Sequence, residues 1–429
     1  MFGFANFLLL ALFAAAVFDL IFALARGGGL RGALHGPWNT PHLLFGQQLA
    51  EWRLQLGRIL FAAGLAAYEI SVVFCNSMAR QNWAWVQGVM SPVLEWLAFL
   101  CFGTKILFGT RYTWRELLAG GALYFIARWV YFNSQNIWWI GIVVAVLAAK
   151  DVPLRRPLQV YFASGCAAMA VVLALHFAGI VAPDLTSERM GALRGTYGYG
   201  HPNTFGGLVF GLVLAYALLR AQKVRWVDCL LVFAVGVFLL VGPASRSAAL
   251  CTLALAVGLV FCRLRAGHSV PRWWPGTCAG MVGLTAAVSY LLPLLVIKVG
   301  PWNNDIGPAW LAKLDSLLTC RISLTWMAYR LLDVKIAGQV FNWPTVDNSF
   351  AFALLQFGPV VAALLGILFA AALWGHAKQG RRVEVCCLFA MLAYAYMEVQ
   401  PFHLTTNPTA LLLCGAVFAQ TSARWQKIE

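Results

Sequence analysis

Charge is scarce in this sequence. Of 429 residues only 11% are Asp, Glu, Lys or Arg, and the shortage is sharpest among acids, 16 against 31 cations. The surface of a water-soluble domain needs far more charge than this, so a soluble globular fold is excluded. Metal-ligand spacing is missing as well. The eleven cysteines are scattered through apolar runs, and the adjacent Cys386 and Cys387 do not make a zinc motif. They read as small packing residues. There is no Asp-x-Asp, HExxH, Gly-x-Ser-x-Gly or P-loop, which removes the zincin, α/β-hydrolase and P-loop readings. No ten-residue alternating segments occur of the kind an outer-membrane barrel needs. Internal repeats and low-complexity stretches are absent too.

Apolar sequence is abundant: 61% of residues are hydrophobic. Lipid obliges each spanning backbone to satisfy its own hydrogen bonds, so the fold class is an all-α polytopic membrane protein. The apolar runs predict 12–13 transmembrane helices, at about 2–24, 59–78, 86–108, 117–132, 136–149, 158–182, 204–221, 227–243, 247–262, 276–297, 348–374, 384–400 and 407–421. The first run lacks a basic leader and a small-residue cleavage site, and is expected to be a retained span. The chain reads as a single integral membrane domain, with N-terminal helices over 1–182 and a motif-bearing part over 183–429.

The net charge of +15 does not imply nucleic acid as a partner. Alternate connections are rich in cations, from Arg53 and Arg58 through Lys150, Arg155 and Arg156 to Lys378, Arg381 and Arg382. The positive-inside rule makes those connections cytoplasmic. Four features then face outward: the 183–203 loop, the 243–247 turn, the 298–348 loop and the 400–407 turn.

Within the long loop, Lys313 to Gly338 has the spacing of one amphipathic helix. Leu314, Leu317, Leu318, Ala328 and Leu332 share one face, and Asp315, Ser323, Trp326, Arg330 and Asp333 the other. Arg321 stands in the middle of the apolar face. A guanidinium there either snorkels to lipid headgroups or meets an anion beneath a lid.

The other outward motifs carry the remaining candidates. Arg194 to Gly207 is rich in glycine and crowds Arg194, Tyr197, Tyr199 and His201 onto one rim. Its bland reading is a glycine-rich turn into a helix capped by Asn203 or Thr204. Gly242 to Ser247 is a short turn that holds Arg246 near the surface, to satisfy helix carbonyls or to bind phosphate bidentately. Asp347 and Asn348 begin a span, where capping is the simplest role and proton transfer a second one for Asp347. Glu398 lies near the end of a span and His403 is expected to be exposed. Glu69, Glu95 and Arg128 lie inside spans and are further candidates, with Glu–Arg pairing within the bundle the expected role.

The order of these motifs resembles the Wzy-type polysaccharide polymerases of the O-antigen polymerase and ligase superfamily. The matching stretches are Arg194 to Gly206, Ser245-Arg246, Leu318 to Leu324 and Val346 to Phe350. The resemblance implies a C-type glycosyltransferase-like fold in a bacterial cytoplasmic membrane, with the active face outward. It also implies inverting transfer between polyprenyl-diphosphate-linked oligosaccharides, donor and acceptor, with no metal and no cofactor. Flippase and chain-length regulator proteins would be partners beside the membrane lipids. Arg246 and Arg321 would hold the diphosphate, with Asp347 or His201 as general base. Arg194, Tyr197, Tyr199, Asn203, Asn348, Glu398 and His403 would contact substrate. Related ligases carry a histidine where this chain has Asp347, which favours a polymerase over a ligase-like transfer of the glycan to another acceptor. The family's Thr-Gly-Arg stands here as Thr319-Cys320-Arg321. A non-enzymatic flippase or transporter is the rival from another class, and it would place its site at mid-bilayer.

Overall fold

A computed structural model describes residues 51–181, 187–189, 192–296 and 307–418. The expected span 2–24 and the end of the expected span 407–421 lie outside the described residues. The described chain is helical apart from one short hairpin. Its described residues divide into two compact units, and the division is not a single cut: those within 51–125, 141–181 and 410–418 form one, and those within 126–140 and 187–409 form the other.

The first unit is built on α1 (Glu51–Cys75), α2 (Ser91–Phe108) and α5 (Arg155–Phe177), with parts of α3 (Trp114–Ser134) and α4 (Ile137–Ala148). α1 packs on α2 and on α5. Close approach depends on glycine: a Cβ on Gly57 would stand 3.0 Å from the Gly109 backbone. Lys150, which the sequence places in a cation-rich connection, is buried. Its Nζ lies 3.3 Å from Glu116 and 3.1 Å from Asp151, and donates to the Arg111 carbonyl. An amine removed from water needs that company. Glu69 is buried and its Oε2 finds no hydrogen-bond donor among the described residues.

Besides 126–140, the second unit holds β1 (Ser187–Arg189) and β2 (Ala192–Arg194), antiparallel, with Ser187 opposite Arg194. The helices that follow are α6 (Pro202–Leu219), α7 (Trp226–Val241), α8 (Arg246–Leu264) and α9 (Trp274–Leu291). After them come α10 (Ala309–Leu317), α11 (Arg321–Leu331), α12 (Pro359–Lys378) and α13 (Arg382–Met397). α7 packs on α8, α9 on α12, and α13 against both α8 and α6. Val227, Leu230, Phe233 and Val241 along α7 are exposed, as suits a helix whose outer side meets lipid. Arg128 lies over the Phe132 ring, 4.9 Å from its centroid.

Seven helices among the described residues are long and apolar enough to cross a membrane: 52–75, 86–108, 155–177, 202–219, 246–264, 274–295 and 359–378. The chain is therefore a multi-pass membrane protein, and among the described residues some of the expected spans are shorter than a full crossing. α4 has 12 residues, or about 18 Å of helix, against a hydrocarbon core of about 30 Å. The run 348–374 is not one helix. It starts with a turn at Ser349–Phe352, loosens into a π turn at Ala353–Phe357 and breaks at Gly358. Gly358 has φ +87, and its missing side chain makes room for the Ile336 carbonyl.

The expected single helix from Lys313 to Gly338 is two helices. Thr319 and Cys320, both at φ +63, separate α10 from α11, and the chain after Leu331 is not helical. Asp315 causes the break. Its buried carboxylate accepts from the Ile322 amide at 2.7 Å and the Ser323 amide at 3.3 Å. The Ser323 hydroxyl adds a third bond at 2.7 Å. A short acid that captures amides in this way caps a new helix rather than continuing the old one. The faces change accordingly. Leu314, Leu318 and Trp326 pack around Val296, Leu311 and Ile322, while Leu317 is exposed.

Candidate functional site

The site is built on the first turns of α6, α8 and α11 and on the end of α13, all within the second unit. On α6, Asn203, Gly206 and Gly207 fall at i, i+3 and i+4 and so share one face. A Cβ on Gly206 would collide with the Ser245 hydroxyl, and one on Gly207 with the Gln400 amide and, at 2.8 Å, the Tyr394 hydroxyl. Two glycines thus admit the 243–245 turn and the 398–400 segment to the side of α6.

Arg194 and Arg321 are both buried, at 7% and 8% exposure, and each needs an acceptor. Arg321, the first residue of α11, spreads its guanidinium over three partners. Its Nη2 donates to Glu398 Oε1 at 2.6 Å, Nη1 donates to the Ser247 hydroxyl at 2.8 Å, and Nε lies 3.5 Å from Asp347 Oδ2. Arg194 Nη2 donates to Asn203 Oδ1 at 2.9 Å and to the Ala244 carbonyl at 3.2 Å. Asn203 completes the chain by donating from Nδ2 to the same Glu398 Oε1, at 3.1 Å. One buried carboxylate oxygen therefore ties the two arginines together.

Arg246 opens α8 and is exposed, one residue before the Ser247 that accepts from Arg321. All three predicted arginines accordingly meet the 244–247 turn. Asp347 is the more open of the two acids, its side chain 30% exposed against 6% for Glu398.

Other predicted residues take structural parts. His201, not Asn203 or Thr204, caps α6: its Nδ1 accepts the Asn203 amide at 3.1 Å. Pro202 at the first helical position leaves Asn203 N–H as an early orphan donor, which the imidazole satisfies. Asn348 caps the turn after it through the Phe350 and Ala351 amides and donates to Ser289. It is buried, so its amide is committed to the fold and not turned to a ligand. Tyr199 is fully buried against Phe205, which withdraws it from any sugar platform. Tyr197 stacks on Phe205 with centroids 5.0 Å apart. His403, expected to be exposed, is half-buried with its ring 3.8 Å from that of Trp138. Burial pushes its imidazole down to about 4.

Sequence reasoning missed Ser247 and Gln400 as parts of the site. Gln400 donates to the Asn203 carbonyl at 3.3 Å and accepts from Tyr394 at 2.9 Å. The available signal was a polar side chain beside an apolar run at a helix end, which also marks ordinary caps. The resulting arrangement sets three arginines against two carboxylates at the 244–247 turn, an excess of positive charge that suits an anion, and leaves the Asp347 carboxylate partly open beside it. No family model matches the chain, and neither a curated protein nor a solved structure does.

Proposed function

We propose that the chain polymerises polyprenyl-diphosphate-linked oligosaccharide repeat units on the outer face of a bacterial cytoplasmic membrane. The observation that carries this reading is Glu398, which accepts from Arg321 directly and from Asn203, the partner of Arg194, beside the turn that carries Arg246. Arginines gathered on one turn in a membrane protein suit an anionic group attached to a lipid.

In the proposed step a hydroxyl of one glycan attacks the anomeric carbon of another. The new C–O bond forms as the bond from that carbon to the diphosphate oxygen breaks, and the lipid diphosphate leaves with the bonding electrons. Charge grows on the leaving oxygen, so Arg246 and Arg321 stabilise the transition state more than the bound substrate. Asp347 takes the hydroxyl proton. The half-open position of its carboxylate supports that role over His201, whose Nδ1 is occupied by the cap.

The test is purified protein in lipid nanodiscs with a lipid-linked oligosaccharide. A ladder of products, each one repeat longer, supports the polymerase. A single transfer to a different acceptor supports the ligase-like rival. Movement of intact donor across a bilayer without new glycosidic bonds supports a transporter.

A further inference from the structure

Arg321 is already neutralised before any substrate arrives. Two carboxylates face it, and they are held very differently. Glu398 is buried, bonded at 2.6 Å to Nη2 and at 3.1 Å to Asn203, and its own carbonyl accepts from the Ser349 hydroxyl. Asp347 is partly open to solvent and reaches Nε at 3.5 Å, the long limit of a hydrogen bond. Its backbone stops one residue before the Asn348 cap, which is fixed by two amides and Ser289. Rotation about the Asp347 side-chain bonds can therefore release Arg321 without moving the main chain.

An incoming diphosphate would bring at least two negative charges to a guanidinium that already carries two carboxylate neighbours. Like charges at that spacing oppose one another strongly where water is scarce. Glu398 cannot leave without taking from the Asn203 side-chain amide the acceptor it holds at 3.1 Å.

We propose that Asp347 is a displaceable counter-ion: a phosphate-type oxyanion replaces it on Arg321 and thereby frees its carboxylate to face the acceptor. This rests on the reading above in taking the ligand as a diphosphate and Asp347 as the base. Binding of the donor then sets the base loose, so an empty site keeps its proton acceptor tied. Asp347 and the oxyanion compete for one guanidinium, and the coupling between them is reciprocal.

Inorganic pyrophosphate titrated into the full chain in nanodiscs, followed by calorimetry, tests the competition apart from any sugar chemistry. Asp347→Asn removes the competing charge and is expected to bind pyrophosphate about tenfold tighter than the natural chain, within the usual range of such couplings. Asp347→Ser serves as a second variant should the first not fold. Arg321→Gln is expected to cancel the gain. Equal or weaker binding by both Asp347 variants overturns the proposal, as does a gain that survives Arg321→Gln. Absence of pyrophosphate binding by every form overturns it too. A confirmed gain with no glycosidic bond formed from lipid-linked donor would leave the displacement of Asp347 from Arg321 standing and remove the polymerase.

Discussion

Arg321 and Glu398, 77 positions apart in sequence, form a 2.6 Å ion pair with both side chains more than nine-tenths buried. A pair withdrawn this far from water adds little net stability while intact, yet losing one partner strands a charge. Arg321→Ala should therefore lower unfolding stability by about 3 kcal/mol, read from denaturant titration in detergent. Glu398→Gln should cost less, because Asp347 and Ser247 still face the guanidinium.

Arg321→Lys tests geometry at constant charge. The guanidinium reaches three acceptors from one plane, whereas an ammonium is a compact point charge. Glycosyl transfer is expected to fall by about 100-fold or more, with the thermal midpoint reduced far less than in Arg321→Ala. Arg246→Lys, at an exposed position, should reduce transfer without a measurable change in stability. A normal rate in either Lys variant would remove that arginine from the chemistry.

Gly207→Ala places a methyl group against the Gln400 amide and the Tyr394 hydroxyl. Overpacking of this kind costs about 1–3 kcal/mol. The variant should melt earlier and lose transfer, since Gln400 holds the same α6 turn that carries Asn203. Gly283, where an added Cβ meets nothing within 4 Å, is the matched control, and its alanine variant should retain both properties.

Cys320 holds a left-handed backbone, φ +63, between α10 and α11. A residue with a Cβ is strained there by about 1 kcal/mol, and glycine is not. Cys320→Gly should raise stability by up to that amount.

His403 supplies a pH dependence. Its imidazole titrates near 4 in the folded chain against an ordinary 6.5, so below 6.5 the unfolded chain binds more protons. Stability should fall as pH drops from about 6.5 towards 4 and be unaffected by this group above that window. His403→Gln should flatten that part of a plot of melting temperature against pH.

Much of this arrangement could be read in the chain, and the parts that could not have physical causes. Ser245-Arg246 at a short turn and Asn348 as a cap follow from local rules, and the structure keeps both, though Asn348 caps a four-residue turn and not the span that starts at Pro359. The break at Gly358 did not show, because hydropathy sums side chains and cannot register a backbone that turns at a positive φ. The split of the 313–338 segment was hidden for a related reason. Leucine spacing there fits one helix, but Asp315 bonds amides seven and eight residues ahead and ends it. The Glu398 partnership was out of reach because two sequence segments far apart supply its halves. Tyr199 misled as well, since its burial against Phe205 depends on how the 195–201 turn folds back on α6.

Asp315 has one more effect. The start of a helix ordinarily offers bare amides and a positive pole to any passing anion, and α11 starts at Arg321. Here that berth is taken for good by a carboxylate from the preceding helix. Recognition of a foreign anion beside α11 is thus left to side-chain forks, which discriminate by shape as well as by sign.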